Sequence, residues 1–413
     1  MRRYQLPLTL VIIGAALIAA FLALNADPTG QAPATSGGST ETRASPAGQA
    51  TADRAASTNA ATSTLSEPPT QTPQSIYPTP TTSVSSEKVE VTVTRPATAS
   101  MILSVPEPCP LPDCQRRTGV SGRNEMVIGA YQSGLQFGQY LNWWAEADPP
   151  ELGDVYFWQM VSVTAAGPVS SWEKLGQIVD ARPGSIWVVG NEPDIVWQDN
   201  TPAERYAEIY HDVYAIIKQR DPTAQLAIAG VGQPTPLRLA YLDIVLETYL
   251  ETYGEPLPVD IWTVHAFVLR EERDSWGVGI PPGMLADQGE LYELTDHNNL
   301  DYFQQNLIDF RLWMAERGYR DRPLAVTEFG ILHPAEYGFP PEVVADFMIG
   351  AFDFFATAAN ETGYPADDNR LVQWWFWYSV FDGGDFPTGN LYDPETDQLT
   401  PLGQLFSSLV SGE

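Results

Sequence analysis

Residues 186–194 read Ile186-Trp187-Val188-Val189-Gly190-Asn191-Glu192-Pro193-Asp194. The four apolar residues Ile186 to Val189 make a run of the length that becomes a fully buried strand. The run stops at Gly190, and a polar Asn-Glu-Pro follows where such a strand would emerge. A carboxylate at the mouth of a buried strand is costly unless it has partners or a task. The pattern recurs at Pro323-Leu324-Ala325-Val326-Thr327-Glu328-Phe329-Gly330, again a short apolar run ending in glutamate and then glycine. Two glutamates at the carboxyl ends of two buried strands are the groups that glycosidic bond cleavage requires.

Working outward, further apolar runs of strand length alternate with longer periodic segments. Strands are expected at 126–131, 137–143, 155–161, 186–189, 226–230, 259–265, 324–327 and 371–378. Their continuous apolarity suits a parallel sheet covered on both faces. Helices are expected at 171–181, from a Thr201-Pro202-Ala203-Glu204 capping box to about Gln219, at 237–253, at 300–317 with Gly318 as its stop, at 341–359 and at 402–410. Alternating strands and helices with eight strands predict an α/β (β/α)8 TIM barrel. Only 132–136 separate the first two strands, too little for a helix, so the front half is expected to be degenerate. The long connections, 266–299 and 383–400, follow strands, on the side where barrels of this kind build their sites.

The folded part is expected over 126–413, with a short cysteine-containing lead-in at 101–125. Residues 27–100 are rich in Ala, Ser, Thr and Pro, a composition unable to bury enough apolar surface to fold, and read as a disordered linker. Arg2 and Arg3 precede an apolar segment from Leu6 to Leu24, so 1–26 reads as a signal peptide or an N-terminal membrane anchor. Either outcome places the rest outside the cytoplasm, secreted or tethered to the outer face of the membrane. There Cys109 and Cys114, the two cysteines of the chain, are expected to form a local disulfide. No histidine lies near them, so no metal site is expected.

The net charge is −30, all of it carried beyond residue 100, where 46 acidic residues face 16 basic ones. Such a surface repels phosphate backbones, which argues against nucleic acid and for a neutral or cationic substrate. In a retaining glycosidase one carboxylic acid protonates the leaving oxygen and one carboxylate attacks the anomeric carbon, their carboxyl groups roughly 5–5.5 Å apart. Glu192 is expected to be the acid/base, its pKa raised by burial and by the other glutamate, and Glu328 the ionised nucleophile. Asn191 can hold the sugar 2-hydroxyl, and His265 closes its strand near the nucleophile. Flat aromatic rings suit the apolar faces of sugars, so Trp143, Trp197, Trp375, Trp377, Tyr131 and Tyr378 are candidate substrate contacts. Asp382 and Asp385 read as turn residues rather than calcium ligands, and His211 and His333 as incidental. Two carboxylates suffice for the reaction, so no cofactor is expected, and the chain is expected to act as a monomer on a polysaccharide or oligosaccharide.

Asn-Glu-Pro at the fourth strand, Thr-Glu-Phe-Gly at the seventh and the tryptophan-rich eighth strand resemble the clan A glycoside hydrolases over roughly 126–410. That resemblance implies a retaining barrel enzyme with the asparagine-preceded Glu192 as acid/base and Glu328 as nucleophile. Leu141-Asn142-Trp143, Asn-Glu-Pro-Asp and Thr-Glu-Phe-Gly look most like the small-barrel endo-β-1,3-glucanase type, whose front half is likewise compressed. The competing readings are a non-catalytic glycan-binding barrel and a wall-remodelling transglycosylase, which would share the covalent intermediate.

Overall fold

A computed structural model of the protein describes residues 109–383 and 386–411. The expected signal or anchor (1–26), the linker (27–100), residues 101–108 of the lead-in and Asp385 lie outside these residues. Among the described residues no helix is long and apolar enough to cross a membrane.

Eight parallel strands form one sheet: β1 (Thr118–Ser121), β2 (Gln139–Leu141), β3 (Tyr156–Val161), β4 (Ile186–Val189), β5 (Gln225–Ile228), β6 (Trp262–His265), β7 (Leu324–Phe329) and β8 (Trp374–Tyr378). They pair in the order β5-β4-β3-β2-β1-β8-β7-β6. The two ends of that order meet at a bridge between Ala227 and Ile261. Asp260 supports the seam by accepting the Leu226 N–H at 2.9 Å and the Lys218 ammonium at 3.0 Å. The sheet is thus the expected barrel, nearly closed.

The helices are α1 (Cys114–Arg117), α2 (Asn124–Gln132), α3 (Trp172–Ala181), α4 (Ala203–Arg220), α5 (Pro236–Tyr253), α6 (Leu300–Glu316), α7 (Pro341–Thr357) and α8 (Pro401–Ser411). Ser171 caps α3, its hydroxyl accepting the Lys174 N–H at 3.2 Å. The expected capping box at Thr201 is absent: its hydroxyl donates to the Asp199 carbonyl instead, and Pro202 occupies the cap position. Cys109 and Cys114 form a disulfide.

The front of the barrel corrects the sequence reading. Residues 126–131 are helical, within α2, where Val127 and Ala130 form a buried edge three residues apart. The first strand is Thr118–Ser121, inside the segment expected to be a lead-in. The helix missing from the front half falls one step later, between β2 and β3.

Side chains alternate across each strand. Ile186 and Val188 of β4 fill the barrel interior with Leu141, Trp158, Met160 and Phe376. Trp187 and Val189 face the helices, in the larger outer core. On β8, Trp374 and Phe376 point inward while Trp375 and Trp377 point outward. Trp375 stacks on Phe355 of α7 with ring centroids 5.3 Å apart, and Trp377 meets Phe329 edge-on at 5.2 Å.

Candidate active site

Both glutamates reach the C-terminal mouth of the barrel by departing from regular strand geometry. On β7, Val326 pairs with Val264 but Glu328 pairs with His265, so one extra residue is inserted at Thr327. The β8 pairing shows the same insertion, with Trp375 opposite Val326 and Trp377 opposite Phe329. Strict alternation after inward Ala325 would send Glu328 outward; the bulge turns it inward and Phe329 out. Glu192 lies past the end of β4 with φ at +47°, in the left-handed region that a glutamate rarely occupies. The Gly230 carbonyl accepts its N–H at 3.1 Å, and Asp199 accepts the Asn191 N–H at 2.6 Å. Burial pushes Asp199 up to about 8, against the pull of the Asn191 and Val163 N–H groups. Gly230 also leaves space for the His265 ring, which a Cβ there would strike.

His265 links the pair. Its Nδ1 lies 2.8 Å from Glu192 Oε1 and 3.6 Å from Glu328 Oε2. All three side chains are buried, with 6% of Glu192, 5% of Glu328 and 1% of His265 exposed. Burial alone would lower the His265 pKa, but the charges of Glu328 and Glu192 outweigh it and raise it to about 9. Burial pushes the Glu328 carboxyl up to about 7; the His265 charge pulls it down, Glu192 pushes it further up, and the Trp143 indole favours the ion. Burial thus works against the ionised form expected of Glu328, while His265 and Trp143 favour it. Candidate ligand atoms of Glu192, His265 and Glu328 all lie within 4.8 Å of one another. A cation could bridge them only by displacing the proton that His265 holds at neutral pH, because an imidazole ligates metals in its neutral form.

Trp143 completes the floor. Its indole N–H donates to Glu328 Oε1 at 2.7 Å. Its backbone sits at φ +67°, held by a polar network in which Asn142 donates to Asn124 at 2.7 Å and to Glu146 at 2.5 Å, while Gln159 accepts the Glu146 N–H at 2.7 Å. Tyr378, half-buried, faces Trp143 at 6.1 Å and donates to Asp382 at 3.0 Å. The Asp382 N–H in turn donates to Asn390, as a turn residue would. Asn191 sits beside Glu192, its side-chain oxygen buried and without a hydrogen-bond partner.

The other aromatic candidates fall elsewhere. Trp375 and Trp377 have no exposed surface and cannot touch a sugar. Tyr131 ends α2 at the opposite end of the barrel, its ring against Phe137. Trp197 is exposed, in the loop after Glu192, its ring edge over Gly279 of the loop that follows β6. His211 stacks on Tyr253 between α4 and α5, and His333 packs on His297, both away from the glutamates. The sequence reading missed Arg238, Asp194 and Glu271, all fully buried behind the site. Asp194 could have been flagged by its place after Asn-Glu-Pro; nothing local marks Arg238.

Fold and site together define a (β/α)8 barrel with two carboxylates and an imidazolium converging at its C-terminal mouth. No protein-family profile and no curated protein sequence matches the chain. Among solved structures it is similar to a curdlan-specific exo-β-1,3-glucanase of GH128 subgroup III from Blastomyces gilchristii, in complex with glucose. That similarity has a TM-score of 0.49 at 17% identity and covers 71% of this chain and 97% of that one. It is also similar to an endo-β-1,3-glucanase of GH128 subgroup II from Pseudomonas viridiflava, at TM-score 0.47 and 18% identity over 71% and 97%. A third is a point mutant of a subgroup I endo-β-1,3-glucanase from Amycolatopsis mediterranei in complex with laminarihexaose, at 0.47 and 15% over 71% and 99%.

Proposed function

We propose that the chain is an exported retaining glycoside hydrolase that cleaves a β-linked glucan by double displacement. One observation carries this reading: one carboxylate oxygen of Glu192 and one of Glu328 lie within 4.8 Å of each other at the mouth of one barrel. That proximity is compatible with the roughly 5–5.5 Å carboxyl separation of retaining enzymes. Glu328 attacks the anomeric carbon while Glu192 protonates the departing oxygen; Glu192 then deprotonates the water that releases the sugar. The partners support that division. Glu328 is held by an indole N–H, which can only donate and so favours the attacking anion. Glu192 is paired with His265 Nδ1, and the proton it gives to the leaving oxygen is restored by the water that releases the sugar. Asn191, next to Glu192 in the chain, would hold the 2-hydroxyl. The Leu-Asn-Trp, Asn-Glu-Pro-Asp and Thr-Glu-Phe-Gly resemblance makes a β-1,3-glucan the first substrate to assay. The basic, then apolar, N-terminus supports export or anchoring outside the cytoplasm.

Glu192→Gln should fold and lose about 10²–10⁴-fold in kcat, and Glu328→Gln should fold and be nearly inactive. Proton NMR of the first product from an unbranched β-1,3-glucan should show the β anomer before mutarotation. Full activity in either variant, or an α anomer, would overturn the assignment. Binding without new reducing ends would leave a glycan-binding barrel.

A further inference from the structure

Behind the site lies a buried ionic cluster that the reaction as proposed does not use. Arg238 on α5, Asp194 two residues past Glu192, and Glu271 in the loop after β6 are each fully buried. Arg238 Nε lies 2.7 Å from Asp194 Oδ2, an ion pair rather than an aligned hydrogen bond. Its Nη1 donates to Glu271, and its Nη2 donates to the carbonyls of Val278 at 3.1 Å and Gly279 at 3.3 Å. Glu271 also accepts the Thr235 hydroxyl at 2.5 Å and the Glu290 N–H at 2.8 Å. Asp194 accepts the Gly232 N–H at 3.3 Å. Nearby, fully buried Gln233 pairs with both backbone groups of Leu269, at 2.8 and 2.9 Å. One planar guanidinium therefore joins the loop that carries Glu192 to the long loop that follows β6.

Breaking either arm leaves a buried carboxylate without its counter-charge, so neither loop can leave its place independently of the other. The loop after β6 lies beside Trp197 through Gly279, and Asp194 shares a tight turn with Glu192, whose carbonyl accepts the Ile195 N–H at 3.0 Å. We infer that Arg238 is a positioning residue that couples the seating of the loop at 266–299 to the placement of Glu192. The inference rests on the reading of Glu192 as the acid/base; the coupling itself is testable without activity.

Hydrogen exchange followed by mass spectrometry on the full chain tests it directly. Glu271→Gln keeps shape and an acceptor for Thr235 but removes the charge; Arg238→Lys keeps the charge but removes the fork. In each, exchange should rise about tenfold both in the loop after β6 and in segment 190–198, with α7 unchanged. Loosening confined to the loop after β6 in Glu271→Gln would overturn the coupling, and that variant decides the matter if Arg238→Lys does not fold.

On a glucan that the wild type cleaves, Asp194→Asn gives a readout that loop packing alone would not move. The charged groups facing Glu192 are His265, Glu328 and Asp194, with Asp199, Asp382 and Arg238 around them. Removing one negative charge weakens proton binding by this cluster, so the basic limb of kcat/KM should move to lower pH. An unmoved limb would count against the inference. A wild-type chain that cleaves no glucan, with exchange still coupled, would sink the proposed function and leave the coupling standing.

Discussion

Trp143 is the residue whose role the sequence hid most. Its aromatic character suggested a sugar platform, yet its indole donates to Glu328 from a backbone conformation that bulky residues avoid. A residue kept in that region needs surroundings that hold it there, and the Asn142, Glu146 and Gln159 network supplies them. Glu328 must be ionised to attack, and the indole favours the ion. Trp143→Phe should therefore move the acidic limb of kcat/KM to higher pH by about one unit, as a pH–rate profile would show. Glu328 itself links the reaction to stability. Its folded pKa of about 7 lies above the ordinary value of 4.5, so protonation favours the folded state. That contribution is complete below pH 4.5 and is lost as pH rises through 7. Glu328→Gln, fixed in the neutral form, should be more stable than wild type above pH 7 by about 1–3 kcal/mol, the two converging toward pH 4.5. Denaturant midpoints across that range check this.

At the scale of the element, strand existence was legible and side-chain direction was only partly so. Runs such as Ile186 to Val189 are apolar on both faces because sheet and helices cover both, and they read plainly as strands. Thr118-Gly-Val-Ser did not, because it is short and small: Gly119 presents no side chain where the Phe376 ring fills the barrel. The bulge at Thr327 left no local signature, since it arises from pairing with both neighbours. The motif nonetheless located Glu328, because its position after an apolar run does not depend on which way the chain turns. On β8 the two-residue alternation decides the tryptophans: placing Trp374 in the barrel commits Trp375 and Trp377 to the helical layer. Trp375→Ala should lower stability by about 3–5 kcal/mol while leaving KM for the glucan unchanged. Chemical denaturation with parallel kinetics on the folded protein would reveal a substrate contact if KM rose instead.

For the whole molecule, the barrel was legible because seven of its eight strands are apolar runs that recur in order with their helices, whereas the contacts that fasten loops to one another were not. Arg238, Asp194 and Glu271 are far apart in sequence and become one cluster only when α5 and two loops are in place. Charge is the opposite case, visible in composition and acting over the whole surface. Beyond residue 100, 46 acidic residues outnumber 16 basic ones, and the site itself carries two glutamates and Asp382. Two cationic groups at or behind the site, His265 and Arg238, are buried and already paired with acids. A polymer bearing carboxylates thus meets repulsion during approach and finds little positive charge on arrival. A carboxymethylated β-glucan should be cleaved with kcat/KM at least about tenfold below that of its neutral parent at low ionic strength, the gap narrowing as salt screens the field. Equal rates on the two polymers at low salt would show that the acidic surface does not face the path of the substrate.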